Sequence, residues 1–187
     1  MIEEIVRPAH AAQPLMLGQR GKKSVGARVL RIDLDGFGEE AAREYQEAVR
    51  LDPSSPMAWD YLSWALAYQQ PPDLAGAEKA SRESLRLGFS TMSAYYHLGR
   101  VLLLQKRYDE AIAAFERSSS MPFWVRAYLA ACHALSGRDE RARDYAAQVV
   151  DLAPAFSIAR FARKEPFKNP ADLQRLIDGL RRAGMPE

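Results

Sequence analysis

Residues 95–118 read YYHLGRVLLLQKRYDEAIAAFERS, and the spacing inside that stretch decides the fold. Tyr95, Leu98, Gly99 and Leu102 stand three or four apart, the separation of neighbours on one face of a helix. A break follows at Lys106-Arg107-Tyr108, after which Ala111, Phe115 and Ser118 resume the same step. The pattern predicts two antiparallel helices joined by a short turn. The large aromatic of the first helix fills the gap between them. Gly99 lets the second helix come close, and the small Ala111 meets it.

Working outward, the pattern recurs in both directions. Upstream, Trp59, Leu62, Ser63 and Leu66 repeat the first half, and Ala77, Ser81 and Ser84 the second. The turn between them, Gln69-Gln70-Pro71-Pro72, holds about two residues more than a period of about 34 allows. Downstream, Leu129, Ala130 and His133 are followed by Ala142, Ala146, Val149 and Pro154, with a turn at Ser136-Gly137-Arg138. Further upstream, Ala41, Tyr45, Ala48 and Pro53 form one more second half, which Asp52-Pro53 ends. One such hairpin cannot bury both its faces, so the units must stack into a superhelix. The fold class is therefore all-α, an array of antiparallel helix pairs.

The repeats are expected over residues 24–154, the first of them degenerate. Its first helix falls near Ser24 to Leu34, where VLRIDLDG reads equally as a short strand; a degenerate helix is the reading taken. Residues 1–23, interrupted by Pro8, Pro14, Gly18 and Gly21, read as a poorly ordered arm. Residues 155–187 read as a partial repeat, Phe156 to Lys164, and a capping helix. Asn169-Pro170-Ala171-Asp172 is a helix start with Asn at the cap, Pro at the first helical position and an acid in the first turn. Leu173, Leu176, Ile177 and Leu180 form its apolar stripe, and Gly184 its left-handed terminator. An array of this kind needs an end cap over the last repeat.

Composition removes several classes of function. A chain of 187 residues, 48% hydrophobic and 27% charged, has the make-up of one soluble domain with a real core. A net charge of +2 supplies no field for nucleic acid or an anionic membrane, so neither is expected as a partner. Cys132 is the only cysteine, which fits a reducing, cytoplasmic setting. MIEEIVRPAH lacks the apolar core of a signal peptide, and no apolar run approaches the roughly 20 residues that span a bilayer.

The register from Tyr95 to Ser118 is that of tetratricopeptide-repeat (TPR) proteins, and the chain resembles that family over most of its length. Its ending is more particular. Pro154-Ala155-Phe156-Ser157, Glu165-Pro166-Phe167-Lys168-Asn169-Pro170 and the run from Gly179 to Glu187 together resemble the C-terminal TPR region of bacterial class III adenylate/guanylate cyclases and TolB-like or winged-helix regulators. In those proteins the TPR block follows a catalytic or DNA-binding domain, and nothing upstream here is long enough to be either. The resemblance implies a regulatory or docking module of a signalling system, without cyclase activity. A homodimerisation module for an attached catalytic domain is the alternative, since class III cyclases work as dimers.

In TPR proteins the first helices line the groove that holds partner peptides. Carried over, the groove comprises Asp60, Trp64 and Tyr68, then Tyr96, Arg100 and Leu103, then Trp124, Ala127 and Ala131. Aromatic residues and arginine dominate binding hot spots, so this set suits a protein or peptide partner with apolar anchors. Against it stands the plainer reading that Trp64 and Tyr68 merely pack on the neighbouring repeat. TPRs that clamp chaperone tails carry Lys and Asn at these places, where this chain has Asp60, Trp64 and Tyr96. Chaperone-tail binding is disfavoured.

No catalytic, cofactor-binding or metal-ligating set is found, and the chain is not expected to be an enzyme. Gly18-Gln19-Arg20-Gly21-Lys22-Lys23-Ser24 resembles a phosphate loop but breaks its glycine spacing. Asp33-Leu34-Asp35-Gly36 has its glycine at the wrong offset for a calcium loop and reads as a turn. His10, His97 and His133 have no partner at ligand spacing. His133 falls in the core register and is expected to be a packed, hydrogen-bonded histidine, with His97 at the border of the groove. Cys132 is expected to be a buried thiol.

Overall fold

A helix that is apolar on every side must be covered on every side, and three such helices form the inner layer of this protein. The structure is a computed structural model that describes residues 39–89 and 92–187. The arm at residues 1–23, the degenerate helix near Ser24 to Leu34, the turn at Asp33-Leu34-Asp35-Gly36 and His10 lie outside the described residues. Among the described residues every regular element is a helix: α1 Glu39–Leu51, α2 Pro56–Tyr68, α3 Leu74–Arg86, α4 Met92–Leu104, α5 Tyr108–Glu116, α6 Phe123–Leu135, α7 Asp139–Leu152, α8 Ile158–Ala162 and α9 Pro170–Arg182. The pairs α2/α3, α4/α5 and α6/α7 are hairpins, and α1 packs on α2. In α2 the unbroken run from Leu62 to Tyr68 is buried, and in α6 the run from Ala127 to Ala134. The second helices are amphipathic instead: α3 buries only Ala77, Ala80, Ser81 and Ser84, and α7 only Ala142, Ala146 and Val149. That contrast puts α2, α4 and α6 inside and α3, α5 and α7 outside.

The small residues at the hairpin contacts do what their spacing foretold. An added Cβ at Gly99 would stand 2.6 Å from the Phe115 ring, so the ring occupies the space a side chain would need. One hairpin earlier, Ser63 and Ser81 meet hydroxyl to hydroxyl at 2.5 Å, both fully buried. Removing one partner of such a pair strands the other away from water, whereas removing both costs little. Ser81→Ala is therefore expected to lose about 1–3 kcal/mol in urea unfolding, and the Ser63→Ala/Ser81→Ala double variant clearly less. A double variant at least as unstable as Ser81→Ala would show that the hydroxyl pair is unimportant.

Turns are closed by backbone geometry. After α4 and α6, Lys106 (φ 62°) and Gly137 (φ 80°) take the left-handed conformation. In each case the next residue's N–H returns to the helix, Arg107 to the Leu102 carbonyl and Arg138 to that of His133. These are Schellman closures, which satisfy carbonyls that the helix end leaves open. Successive hairpins are tied by side chains as well: Gln105 Nε2 donates to the Leu74 carbonyl at 3.0 Å. Arg107 bridges Glu78 at 2.5 Å.

The C-terminal region supplies the last helix of the array. Its helix starts as read, with Asn169 Oδ1 accepting from the Ala171 N–H, Pro170 first in the helix and Gly184 at φ 84°. Helix α9 packs on the last hairpin, chiefly along its inner helix α6, and reaches α7 mainly at its end, where Arg182 pairs with Asp139 at 2.8 Å. The reason lies in its own stripe. Leu176 and Leu180 are fully buried, and Gly179 between them has Ala131 so near that an added Cβ would be 3.0 Å from its carbonyl. A missing side chain on α9 and a small one on α6 allow this approach. The final residues turn back, and the Ile158 N–H donates to the Pro186 carbonyl at 2.8 Å.

Candidate partner-binding face

The inner helices bring three of the nine groove residues expected from sequence, Trp64, Tyr68 and Tyr96, around a fourth, the cation Arg100. Arg100, in the middle of α4, is only 3% exposed. Its guanidinium carbon lies 4.9 Å from the ring centre of Trp64, 5.1 Å from Tyr68 and from Tyr128, 5.3 Å from Tyr96 and 5.6 Å from Phe167. Trp64 and Tyr68 come from α2, Tyr96 from α4 and Tyr128 from α6, so three consecutive hairpins each contribute a wall. Desolvated rings attract a cation through their negative faces, but a buried charge also needs a counter-charge.

The counter-charge comes from the chain's own C-terminal region. Arg100 Nη2 donates to Glu165 Oε2 at 2.5 Å, and the Tyr128 hydroxyl donates to the same oxygen at 2.5 Å. Arg100 Nη1 donates to the Tyr96 hydroxyl at 3.0 Å. Burial pulls the Arg100 pKa down, and Glu165 with the surrounding phenols outweighs this, holding the guanidinium above its ordinary range. Burial also raises the phenols, Tyr96 to about 12, so both stay protonated, Tyr96 accepting from Arg100 and Tyr128 donating to Glu165. Two residues after Glu165, the Phe167 ring meets Tyr68 edge-on at 5.8 Å. The path is explicit: Phe161 touches Tyr128, Glu165 reaches Arg100, Phe167 reaches Tyr68, and α9 then returns along α6.

In this structure most of the expected groove residues are covered. Asp60, Trp64, Tyr68, Tyr96, Arg100, Leu103, Ala127 and Ala131 are all buried, and only Trp124 of the nine is partly exposed. Trp124 sits edge-on against Phe123 at 5.2 Å. Asp60 is paired with His97, whose Nδ1 lies 2.9 Å from Oδ1, and the His97 ring stands edge-on to Trp64 at 4.4 Å. Leu103 is fully buried in the core, and Ala131 is covered by α9. Of the nine, Tyr68 and Arg100 meet the segment 165–167, Ala131 meets α9, and the rest pack within the array.

Sequence reasoning missed Tyr128, Glu165 and Phe167. A signal for Tyr128 was present, because it precedes Leu129 as His97 precedes Leu98, the same place in the next repeat. His133 is packed as expected, stacked on Tyr145 at 5.4 Å, but neither ring nitrogen has a hydrogen-bond partner. Burial lowers its pKa and keeps it neutral. Cys132 is a buried thiol whose pKa burial pushes up. Among the described residues no group of three or more His, Cys, Asp or Glu could hold a metal ion, and no helix is long and apolar enough to cross a membrane.

Residues 93–120, which span most of α4 and all of α5, match the tetratricopeptide-repeat family. No curated protein matches the chain. Among solved structures, MamA from Desulfovibrio magneticus RS-1 is 24% identical, with a TM-score of 0.61 over 84% of this chain and 91% of that one. TTC0263, a thermophilic TPR protein of Thermus thermophilus, is 18% identical with a TM-score of 0.61, over 85% of this chain and 82% of that one. YrrB, described as a TPR protein with an unusual peptide-binding site, is 21% identical with a TM-score of 0.56, over 78% and 79%. The fold is that of a TPR helical array.

Proposed function

We propose that this TPR array is a scaffold that binds a protein or peptide through its inner face and does no chemistry of its own. One observation carries the reading: the face already holds an irregular piece of polypeptide, Glu165-Pro166-Phe167, by its carboxylate and its ring. A surface that seats its own chain in this way has the recognition groups for a segment of another. The peptide-binding site named for YrrB supports the same class of partner.

The tail motifs around Pro154, Glu165 and Gly179 further suggest a regulatory or docking module of a bacterial cyclase-type signalling system; that context rests on the resemblance of these motifs. Crosslinking the native chain in its own proteome tests both levels. The expected product is a signalling protein whose capture falls about tenfold or more on Trp124→Ala, which removes a partly exposed aromatic and spares the buried cluster. Capture indifferent to Trp124 would move the partner off this end of the face. A partner unrelated to signalling would remove the cyclase context alone.

A further inference from the structure

We infer that residues 161–168 are a displaceable internal ligand, and that the partner is a peptide with an acidic residue two positions before an aromatic one. The inference rests on the scaffold reading and names the chemistry the face selects. The first argument is electrostatic. Arg100 is walled in by five rings, and Glu165 is the carboxylate that pairs with it. A partner that displaced the tail without bringing an acid would leave this guanidinium buried and unpaired, a heavy penalty. The aromatic at the second position is demanded in turn by the place beside Tyr68 and Arg100 that Phe167 occupies, edge-on to the one and under the charge of the other.

The second argument is that the internal ligand leaves part of the site unused. Glu165 engages Arg100 end-on: Oε2 alone takes both the Nη2 and the Tyr128 bonds, while the buried Nε of Arg100 has no hydrogen-bond partner. A carboxylate arriving side-on would bond Nε and Nη2 with its two oxygens, the stronger two-pronged arrangement. The tail holds its place by being tethered, at high effective concentration, despite incomplete bonding. An untethered ligand with better geometry can therefore compete, and it binds with an apparent affinity reduced by the fraction of time the tail is shut.

The test uses a synthetic peptide of residues 161–169, FARKEPFKN, and the same peptide with Gln in place of the Glu. Fluorescence anisotropy is read with the full-length chain and with its Phe167→Ala variant, in which the tail is loosened. Phe167→Ala is expected to bind the Glu peptide more tightly than the unchanged chain does, and the Gln peptide about tenfold or more weakly than the Glu peptide. Should Phe167→Ala fail to fold, hydrogen exchange on the unchanged chain serves instead. Excess Glu peptide should then speed exchange of the amides of residues 158–182, and the Gln peptide should not. Equal binding of the two peptides, or no binding and no change in exchange, overturns the inference. So does a Phe167→Ala chain that forms a dimer and excludes the peptide, since a second copy's tail would then be the occupant. A partner captured through Trp124 that the Glu peptide cannot displace would leave the scaffold reading standing and sink this one.

Discussion

Replacing Glu165 with glutamine is expected to lower the unfolding free energy by about 3–5 kcal/mol, the usual penalty for breaking a buried ion pair from one side. For a chain of this size the midpoint of thermal unfolding should drop by roughly 6–20 °C. Glutamine keeps the shape and can still accept from Tyr128. What it loses is the charge opposite Arg100, whose side chain is 4% exposed against 6% for Glu165. The surrounding rings soften the loss without replacing a full counter-charge. Two controls separate this from a general effect of losing a carboxylate. Glu47→Gln breaks the exposed pair with Arg50 and should leave the melt unchanged. The Arg100→Met/Glu165→Leu double variant removes both charges and should recover much of the lost stability. A Glu165→Gln chain that melts with the unchanged protein would mean that the tail does not sit on Arg100.

Gly99→Val is expected to cost about 3 kcal/mol, at the upper end for overpacking in a closed core. The first added carbon would already stand 2.6 Å from the Phe115 ring. That ring cannot step aside, because it is fully buried and stacked on Tyr128 at 5.6 Å, with Tyr96 at 6.2 Å on another side. The better helix propensity of a side-chain-bearing residue returns less than about 1 kcal/mol. Chemical denaturation of Gly99→Val, Phe115→Leu and the pair checks it. Shortening the ring opens space, so the double variant should be less destabilised than the sum of the two singles. Strict additivity would show that the two residues are not in conflict.

These two predictions also mark where the sequence could be read and where it could not. Gly99 and Phe115 belong to a local rule, a helix step of three or four repeated across a short turn, and such rules leave a period in the chain. The same rule exposed Ser63 with Ser81, the turn at Gly137 and the helix start at Asn169. Glu165 and Arg100 obey no local rule. They lie 65 residues apart, joined by a path that crosses from α6 to α2, and no spacing records where an irregular segment lands. The period therefore placed the groove set on the first helices and is silent about what covers it. The seat of α9 on the last hairpin was not legible for a related reason. Its apolar stripe demands some apolar surface, and the sequence offered both the end of α7 and the inner side of α6. Gly179 decided between them, and its bearing shows only once Ala131 is seen opposite it.

A stack of helix hairpins in which each touches only the next behaves like a coil spring, free to stretch and to fray from its ends. Here the last residues run back across the coils: Phe161 is fastened to α6, Glu165 to α4 and Phe167 to α2. That stay fixes the pitch of the spring, and pulling any one hairpin outward loads the other two. The three hairpins should then give way in one event, and a molecule that unhooks this stay turns a stiff body back into a compliant one.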